Sequence, residues 1–116
     1  MDIKRFDPGP RLSRAVVFGD TVYLAGLTAD DASQGVTGQT QQILAKIDHY
    51  LKQAGTDKSR LLTAQIWLSD IKTFNDMNKA WEAWVDKANP PARATVESKL
   101  AGAGLSVEIM VVAARS

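Results

Sequence analysis

The apolar segment at residues 105–114 constrains the fold of this chain more than any other feature. Its odd-numbered positions are all aliphatic, which is typical of a strand face that packs on a core. Its even-numbered positions include Met110 and Val112, so the opposite face is also largely apolar. A sheet built on this strand needs cover on both faces, and the rest of the chain supplies helices for only one of them. We therefore expect a homo-oligomer in which another copy covers the second face.

A single carboxylate, Glu108, interrupts this segment. Removing a carboxylate from water costs free energy unless the group is paired, hydrogen-bonded or part of a functional site. Arg93 supplies the opposite charge in the same third of the chain. One interpretation is a structural ion pair between the two on adjacent strands, which the residues alone favour because such pairs are common. The other is a binding site, since the donor fork of arginine matches a planar carboxylate ligand. In that case the guanidinium and the acid face a shared crevice.

The composition narrows the class of protein. With 116 residues, 45% of them apolar and 23% charged, the sequence predicts one globular domain over residues 1–116. The net charge of +1 is made of scattered acids and bases, so we expect no nucleic-acid partner. No apolar run approaches the roughly 20 residues of a membrane span, and the N-terminus lacks a signal-peptide core. We therefore expect a cytoplasmic protein without a membrane partner.

The inventory of reactive side chains excludes most familiar catalytic sets. The chain has no cysteine, and its one histidine, His49, lies on the polar side of a predicted helix, so a serine or cysteine triad has no base. Asp30 and Asp31 fit turn chemistry better than a metal site. No glycine-rich phosphate loop precedes a helix. We expect neither a metal nor a cofactor.

Alternation and helical spacing together predict five strands and two helices. The predicted strands are residues 15–18, 21–25, 61–68, 92–98 and 105–114, and the predicted helices are residues 39–54 and a segment that starts at residue 74. Thr37 is expected to cap the first helix and Gly55 to end it, while Thr73 caps the second and Pro90-Pro91 terminates it. Strands before, between and after two helices indicate a two-layer α+β domain.

The sequence resembles the RidA family, also called YjgF/YER057c/UK114. Its last third carries the two segments most typical of that family, Asn89–Glu97 (NPPARATVE) and Val107–Ile109 (VEI). The likeness extends to Gly9-Pro10, to Val22–Gly26, to the helix at residues 39–55 and to Phe74, Met77, Asn78 and Trp81 in the second helix. The resemblance implies a chorismate-mutase-like α+β sandwich, in which a mixed sheet carries two helices on one face. It also implies a homotrimer with active sites in the clefts between subunits.

The activity that the resemblance implies is the hydrolysis of reactive 2-imino acids to 2-oxo acids and ammonia, without a cofactor, as a form of metabolite damage control. Arg93 matches the family arginine that binds the substrate carboxylate, and Glu108 matches the glutamate that holds and activates water. Thr95 matches a position whose backbone carbonyl assists. Asn78 matches a pocket asparagine, although a plain surface position on the helix is the alternative. Gly26 matches a glycine whose backbone borders the site.

Three departures from the family pattern leave a second function open. Ala25 stands where relatives with well-defined deaminase activity have serine, Thr95 stands where they have cysteine, and no aromatic residue lies between Arg11 and Arg14, where they have a tyrosine. The alternative is a trimeric protein that binds small carboxylates in the same cleft without turnover. Ribonuclease activity, reported for some relatives, is disfavoured by the near-neutral charge.

Overall fold

The computed structural model describes residues 1–115 and contains one six-stranded sheet and two α-helices. The strands are β1 (Ile3–Phe6), β2 (Ala15–Phe18), β3 (Thr21–Leu24), β4 (Leu61–Leu68), β5 (Ala92–Glu97) and β6 (Val107–Ala114). The helices are α1 (Val36–Gln53) and α2 (Phe74–Trp84), and single 3₁₀ turns lie at Lys58–Arg60 and Ile71–Thr73. The sheet order is β1-β2-β3-β6-β4-β5, and only β4 and β5 are parallel. The prediction of a mixed-sheet α+β sandwich is confirmed.

The hydrophobic core lies between one face of the sheet and the two helices. Ile43, Ile47 and Leu51 form the buried stripe of α1, and Ile66 and Ile109 meet that stripe from the sheet, each at most 1% exposed. Burying a side chain of this size stabilises the fold by roughly 1.5–3 kcal/mol. The period of the apolar residues in α1 therefore fixes which side of the helix faces the sheet.

The other side of the sheet, which we call the open face, has no covering layer among residues 1–115. It presents Phe18, Tyr23, Val96 and Met110, which are 39–48% exposed. Residues on β6 alternate as predicted, because odd-numbered positions from 107 to 113 are fully buried and even-numbered positions are not. Cover by another copy stays a prediction, since the structure describes one chain.

Two glycines have the backbone conformation that the adjoining turns require, and Gly55 lies at the predicted end of α1. Gly19 closes the β2–β3 hairpin with φ of 60°, and Gly55 follows the end of α1 with φ of 85°. Both values lie in the left-handed region, which glycine adopts without steric cost.

Neither predicted threonine makes a side-chain cap hydrogen bond, although Thr73 does occupy the N-terminal cap position of α2. Gly35 is the N-terminal cap residue of α1, and the helix begins at Val36, so Thr37 lies inside its first turn. The Thr37 hydroxyl donates instead to the backbone carbonyl of Asp76 at 2.8 Å and ties α1 to α2. The Thr73 hydroxyl donates to the Asp70 carbonyl at 2.6 Å, because a 3₁₀ turn leads directly into α2.

Two parts of the sheet depart from the sequence-based prediction. Strand β1 pairs with β2, yet its residues are largely exposed and show no apolar alternation that would have marked them as a strand. A register shift at the start of β4 buries Leu61 and exposes Leu62. Strict alternation from the buried Ala64 would give the reverse, and the bulge changes which face each side chain occupies. No helix within residues 1–115 is long and apolar enough to cross a membrane.

Candidate active site

Arg93 lies on the helix side of the sheet, beneath α2. Its register partner on β4 is Ala64, a buried residue that faces the helices. The guanidinium Nη1 donates to the Asn78 side-chain oxygen at 2.7 Å. The guanidinium carbon also lies 5.7 Å from the ring centre of Phe74 and 5.3 Å from that of Trp81, within the range of a cation–π contact. We call Arg93, Asn78, Phe74 and Trp81 the arginine cradle.

The arginine cradle holds a charge that has no carboxylate partner. Partial burial lowers the pKa of Arg93, and the nearby Glu82 carboxylate acts in the opposite direction. The group stays protonated in any case, because arginine does not lose its proton in proteins. Among residues 1–115 no carboxylate lies within ion-pair distance of Arg93. The guanidinium has five N–H donors, and its described side-chain hydrogen bond uses Nη1, so other donors remain for a planar anion.

Glu108 lies on the opposite side of the sheet. Its register partner on β4 is Trp67, whose neighbours Gln65 and Thr63 mark the open face. The side chain is half-buried, so the dehydration cost expected for a carboxylate in a closed interior does not arise. Within residues 1–115 the structure shows no hydrogen bond or ion pair of the Glu108 carboxylate, which leaves its oxygens available to a ligand or water.

Gly26 makes room for the Glu108 side chain. The next residue, Leu27, forms an isolated bridge with Ile109, in which Leu27 N donates to Ile109 O at 2.9 Å and Ile109 N donates to Leu27 O at 3.1 Å. A Cβ atom on Gly26 would collide with the Glu108 carboxylate. Glycine is therefore needed here for the close approach of the carboxylate to the backbone. We call Gly26 and Glu108 the glutamate half-site.

The structure does not bring the arginine cradle and the glutamate half-site together in one chain. Strand β4 lies between β5 and β6, so Arg93 and Glu108 are not on adjacent strands. Their side chains point to opposite faces, and the positions are offset by roughly 10 Å along the strands and about 9.5 Å across them. The interpretation as an ion pair on adjacent strands of one chain is therefore wrong. A crevice that Arg93 and Glu108 share between copies stays a prediction.

Thr95 lies two residues after Arg93 and faces the same side of the sheet, with Ile66 as its register partner. Its side-chain hydroxyl is buried and has no hydrogen-bond partner in the described part of the chain. Asn78 contacts Arg93 and is therefore not a free helix-surface residue. The assignment of Asn78 and Thr95 to a binding site stays a prediction.

The aromatic side chains of the cradle are functional candidates that the sequence patterns above do not single out. In the sequence, Phe74 and Trp81 fit an apolar stripe whose simplest role is packing. Phe74, Asn78 and Trp81 follow the spacing i, i+4, i+7, which places all three on one face of a helix. This spacing, together with Arg93 on the strand that follows the helix, is the sequence signal that would have indicated the two aromatic residues as candidates.

The open face carries a groove of about 610 Å³. It is lined mainly by side chains of the open face, including Trp67, Met110 and Val112. Ala64 and Arg93 also border it, although their register directs their side chains to the helix side. Nowhere in residues 1–115 do three His, Asp or Glu side chains come together as metal ligands would.

Comparison with known proteins identifies the family. The sequence model of the family described as Endoribonuclease L-PSP matches residues 2–115. The chain belongs to this family, the RidA (YjgF) family. A RutC family protein of Haemophilus influenzae is 42% identical over 114 residues, which cover 97% of this chain and 98% of that protein.

Two further RidA relatives bear on the fold and the function. The crystal structure of a YjgF family member from Neisseria meningitidis superposes with a TM-score of 0.97 at 38% identity, over 100% of this chain and 97% of that one. A human protein named 2-iminobutanoate/2-iminopropanoate deaminase is 32% identical over 107 residues, which cover 87% of this chain and 77% of that protein. The relatives of this chain therefore include at least one protein that is named as an imine deaminase.

Proposed function

We propose that this protein hydrolyses small 2-imino acids to 2-oxo acids and ammonia, in a site that two copies of the chain complete. The observation that carries the proposal is the arginine cradle, in which a half-buried guanidinium is oriented by Asn78 and has no carboxylate partner within residues 1–115. Such a group is suited to a planar carboxylate ligand. The name of the human relative supplies the reaction.

The two groups divide the reaction between them. Arg93 binds the carboxylate of the 2-imino acid and fixes the adjacent C=N carbon, which is already electrophilic. Glu108 and the backbone carbonyl of Thr95 hold a water molecule against that carbon. As the water oxygen bonds to carbon, Glu108 accepts a water proton and passes it to the nitrogen. In the tetrahedral adduct Glu108 then moves the remaining hydroxyl proton to the amino nitrogen, and collapse forms C=O, breaks C–N and releases ammonia. Positioning and proton transfer of this kind are each worth orders of magnitude in rate.

A second copy supplies the group that one chain cannot place. Arg93 of one copy and Glu108 of a neighbour would meet if the β5 edge of one copy packed against the open face of the next, where apolar side chains are exposed. Cyclic packing of identical chains gives each cleft one cradle and one glutamate half-site. We therefore propose a homotrimer, as the family resemblance implies.

The test of the proposal is imine turnover. 2-Iminobutanoate is generated in situ, and its loss is followed with the wild-type protein, with Arg93→Ala and with Arg5→Ala, a control in the exposed strand β1. We expect wild-type and Arg5→Ala to accelerate imine loss equally, and Arg93→Ala to fall to within about tenfold of the uncatalysed rate, since carboxylate positioning is lost. Wild-type turnover no faster than that of Arg93→Ala would overturn the enzyme proposal.

A carboxylate-binding protein without turnover is the second candidate. It is favoured by the fact that one chain assembles the whole arginine cradle without Glu108. Calorimetry with 2-oxobutanoate separates the two functions. Saturable binding that Arg93→Ala abolishes, together with no imine turnover by wild-type protein, would support the binding protein and reject the hydrolase.

A further inference from the structure

Thr95 carries the one buried side-chain nitrogen or oxygen in residues 1–115 that has no hydrogen-bond partner. The other buried polar side chains are satisfied. The Thr40 hydroxyl donates to the Val36 carbonyl at 2.7 Å, and the Gln39 amide contacts four oxygens and one backbone N–H. An orphaned hydroxyl is destabilising, so an isolated case in a well-paired interior calls for an explanation.

The position of Thr95 suggests that explanation. It lies two residues from Arg93 on the same face of β5, and β5 forms an edge of the sheet. The Cα atoms of alternate residues in a strand are roughly 7 Å apart, so the side chains of Arg93 and Thr95 project next to each other from one face. The residue as a whole is only half-buried, although its hydroxyl is covered. Rotation about χ1 exchanges the hydroxyl with another substituent of Cβ and turns it toward a ligand.

We propose that the Thr95 hydroxyl binds the polar group on C2 of the ligand whose carboxylate Arg93 holds. This inference rests on the proposed function and adds a side-chain role to a residue that otherwise contributes only its backbone carbonyl. A hydroxyl donates one hydrogen bond and accepts others. It can therefore accept a hydrogen bond from the N–H of an imine substrate and donate one to the oxygen of a 2-oxo product. The same hydroxyl thus binds both the substrate and the product.

Thr95→Val tests this role, because valine keeps the shape of threonine and the backbone carbonyl while it removes the hydroxyl. We expect the Kd for 2-oxobutanoate and the KM for 2-iminobutanoate to rise about tenfold, as for a lost hydrogen bond. We also expect Tm to rise by a few degrees, since the unpaired buried hydroxyl is gone. Higher stability together with weaker binding is a signature that a purely structural role would not give. Thr95→Ser, which keeps the hydroxyl, is expected to bind within about threefold of wild type.

The matched control is Thr40→Val in α1, which removes a buried hydroxyl that is already paired. Its Tm is expected not to rise, and its Kd and KM are expected to equal those of wild type. Should Thr95→Val fold poorly, Thr95→Ala and Thr95→Ser form the comparison, and the inference requires the alanine variant alone to lose affinity.

The outcomes separate this inference from the function it rests on. If wild-type protein turns over imine or binds 2-oxobutanoate and Thr95→Val does so with unchanged Kd and KM, the hydroxyl role is wrong and the proposed function stands. If wild-type protein does neither, the proposed function is wrong and the hydroxyl role is rejected with it.

Discussion

At the level of single residues, the orientation of the Arg93 guanidinium depends on one side chain of α2. Asn78 accepts from Nη1 at 2.7 Å, while the two rings contact the faces of the cation at longer range. Hydrogen bonds to charged groups are directional and typically worth about 1.5–3 kcal/mol. Under the proposed function, Asn78 therefore determines which donors of Arg93 are left for the ligand.

Replacement of Asn78 by leucine removes this acceptor and keeps the number and branching of the side-chain heavy atoms. We predict a Kd for 2-oxobutanoate about tenfold higher, because Arg93 loses its fixed orientation. We also predict a loss of about 1–2 kcal/mol in the free energy of unfolding, because a half-buried N–H is left unpaired. Calorimetry and denaturant unfolding measure the two effects, with Asn75→Leu at an exposed position of α2 as the control. Wild-type affinity in Asn78→Leu would show that the residue does not serve the site.

A substitution at Gly26 tests the glutamate half-site without touching the cradle. In Gly26→Ala the new methyl group collides with the Glu108 carboxylate, which must move because it is the flexible end of a side chain. We predict a fall in kcat of about tenfold or more, since a misplaced proton-transfer group loses most of its effect. The Kd for 2-oxobutanoate should change much less, because Arg93 is unaltered.

Gly35→Ala is the matched control for Gly26→Ala. A methyl group on Gly35 would extend into open space, and the backbone there is extended, a conformation that alanine adopts without strain. The kcat of this control is expected to equal that of wild type. An equal kcat in Gly26→Ala would contradict the role given to Glu108.

At the level of secondary structure elements, local patterns predicted most of the fold. The buried stripe of α1, the alternation in β6 and the hairpin glycine Gly19 each follow from interactions between residues close in sequence. Strand β1 could not be predicted in this way, because its exposed edge residues show no apolar alternation. The bulge at Leu61 could not be predicted either, because it reverses the alternation locally.

The order of the strands could not be predicted from local patterns. Alternation shows that β5 and β6 are strands, but it does not show that β4 lies between them. Only the register of Arg93 with Ala64 places it on the helix side, at an edge where α2 covers it in part. The sequence therefore indicates which residues are candidates, but their distribution over two faces depends on long-range pairing.

Gln39 connects α1 to two loops, the loop that precedes α1 and the loop that leads into β6. Its amide nitrogen lies 2.8 Å from the Gln34 carbonyl and 3.1 Å from that of Gly104, and its oxygen accepts from the Ser106 N–H at 2.9 Å. The side chain is 1% exposed. Its hydrogen bonds hold the start of α1 against the loop that leads into β6, the strand that carries Glu108.

Replacement of Gln39 by methionine keeps the volume and removes these hydrogen bonds. We predict a loss of about 2–3 kcal/mol in the free energy of unfolding, because several buried backbone groups lose their partner. Thermal or denaturant unfolding measures it, and Gln41→Met, an exposed position on the same helix, is the control with a change below about 0.5 kcal/mol. Equal stabilities of the two variants would show that the loops hold without Gln39.

At the level of the whole molecule, the separation of Arg93 and Glu108 in one chain implies that the proposed hydrolysis depends on the oligomer. The open face exposes large apolar side chains and a groove of about 610 Å³. Burial of this apolar surface against a neighbouring copy would be favourable. If a neighbour's Glu108 completes each cleft, a monomer can bind a carboxylate at the cradle but cannot hydrolyse an imine. Activity should then depend on the oligomer.

Mixed oligomers of Arg93→Ala and Glu108→Gln provide the decisive measurement of that dependence. Chains carrying two different affinity tags are co-expressed, doubly tagged oligomers are isolated, and the loss of 2-iminobutanoate is followed. Each variant alone lacks one group in every cleft and is expected to be inactive. A cyclic trimer that contains both variants has one cleft in which both groups are intact, so we predict about a third of wild-type activity. Verified mixed oligomers that remain as inactive as the separate variants would contradict a site shared between copies.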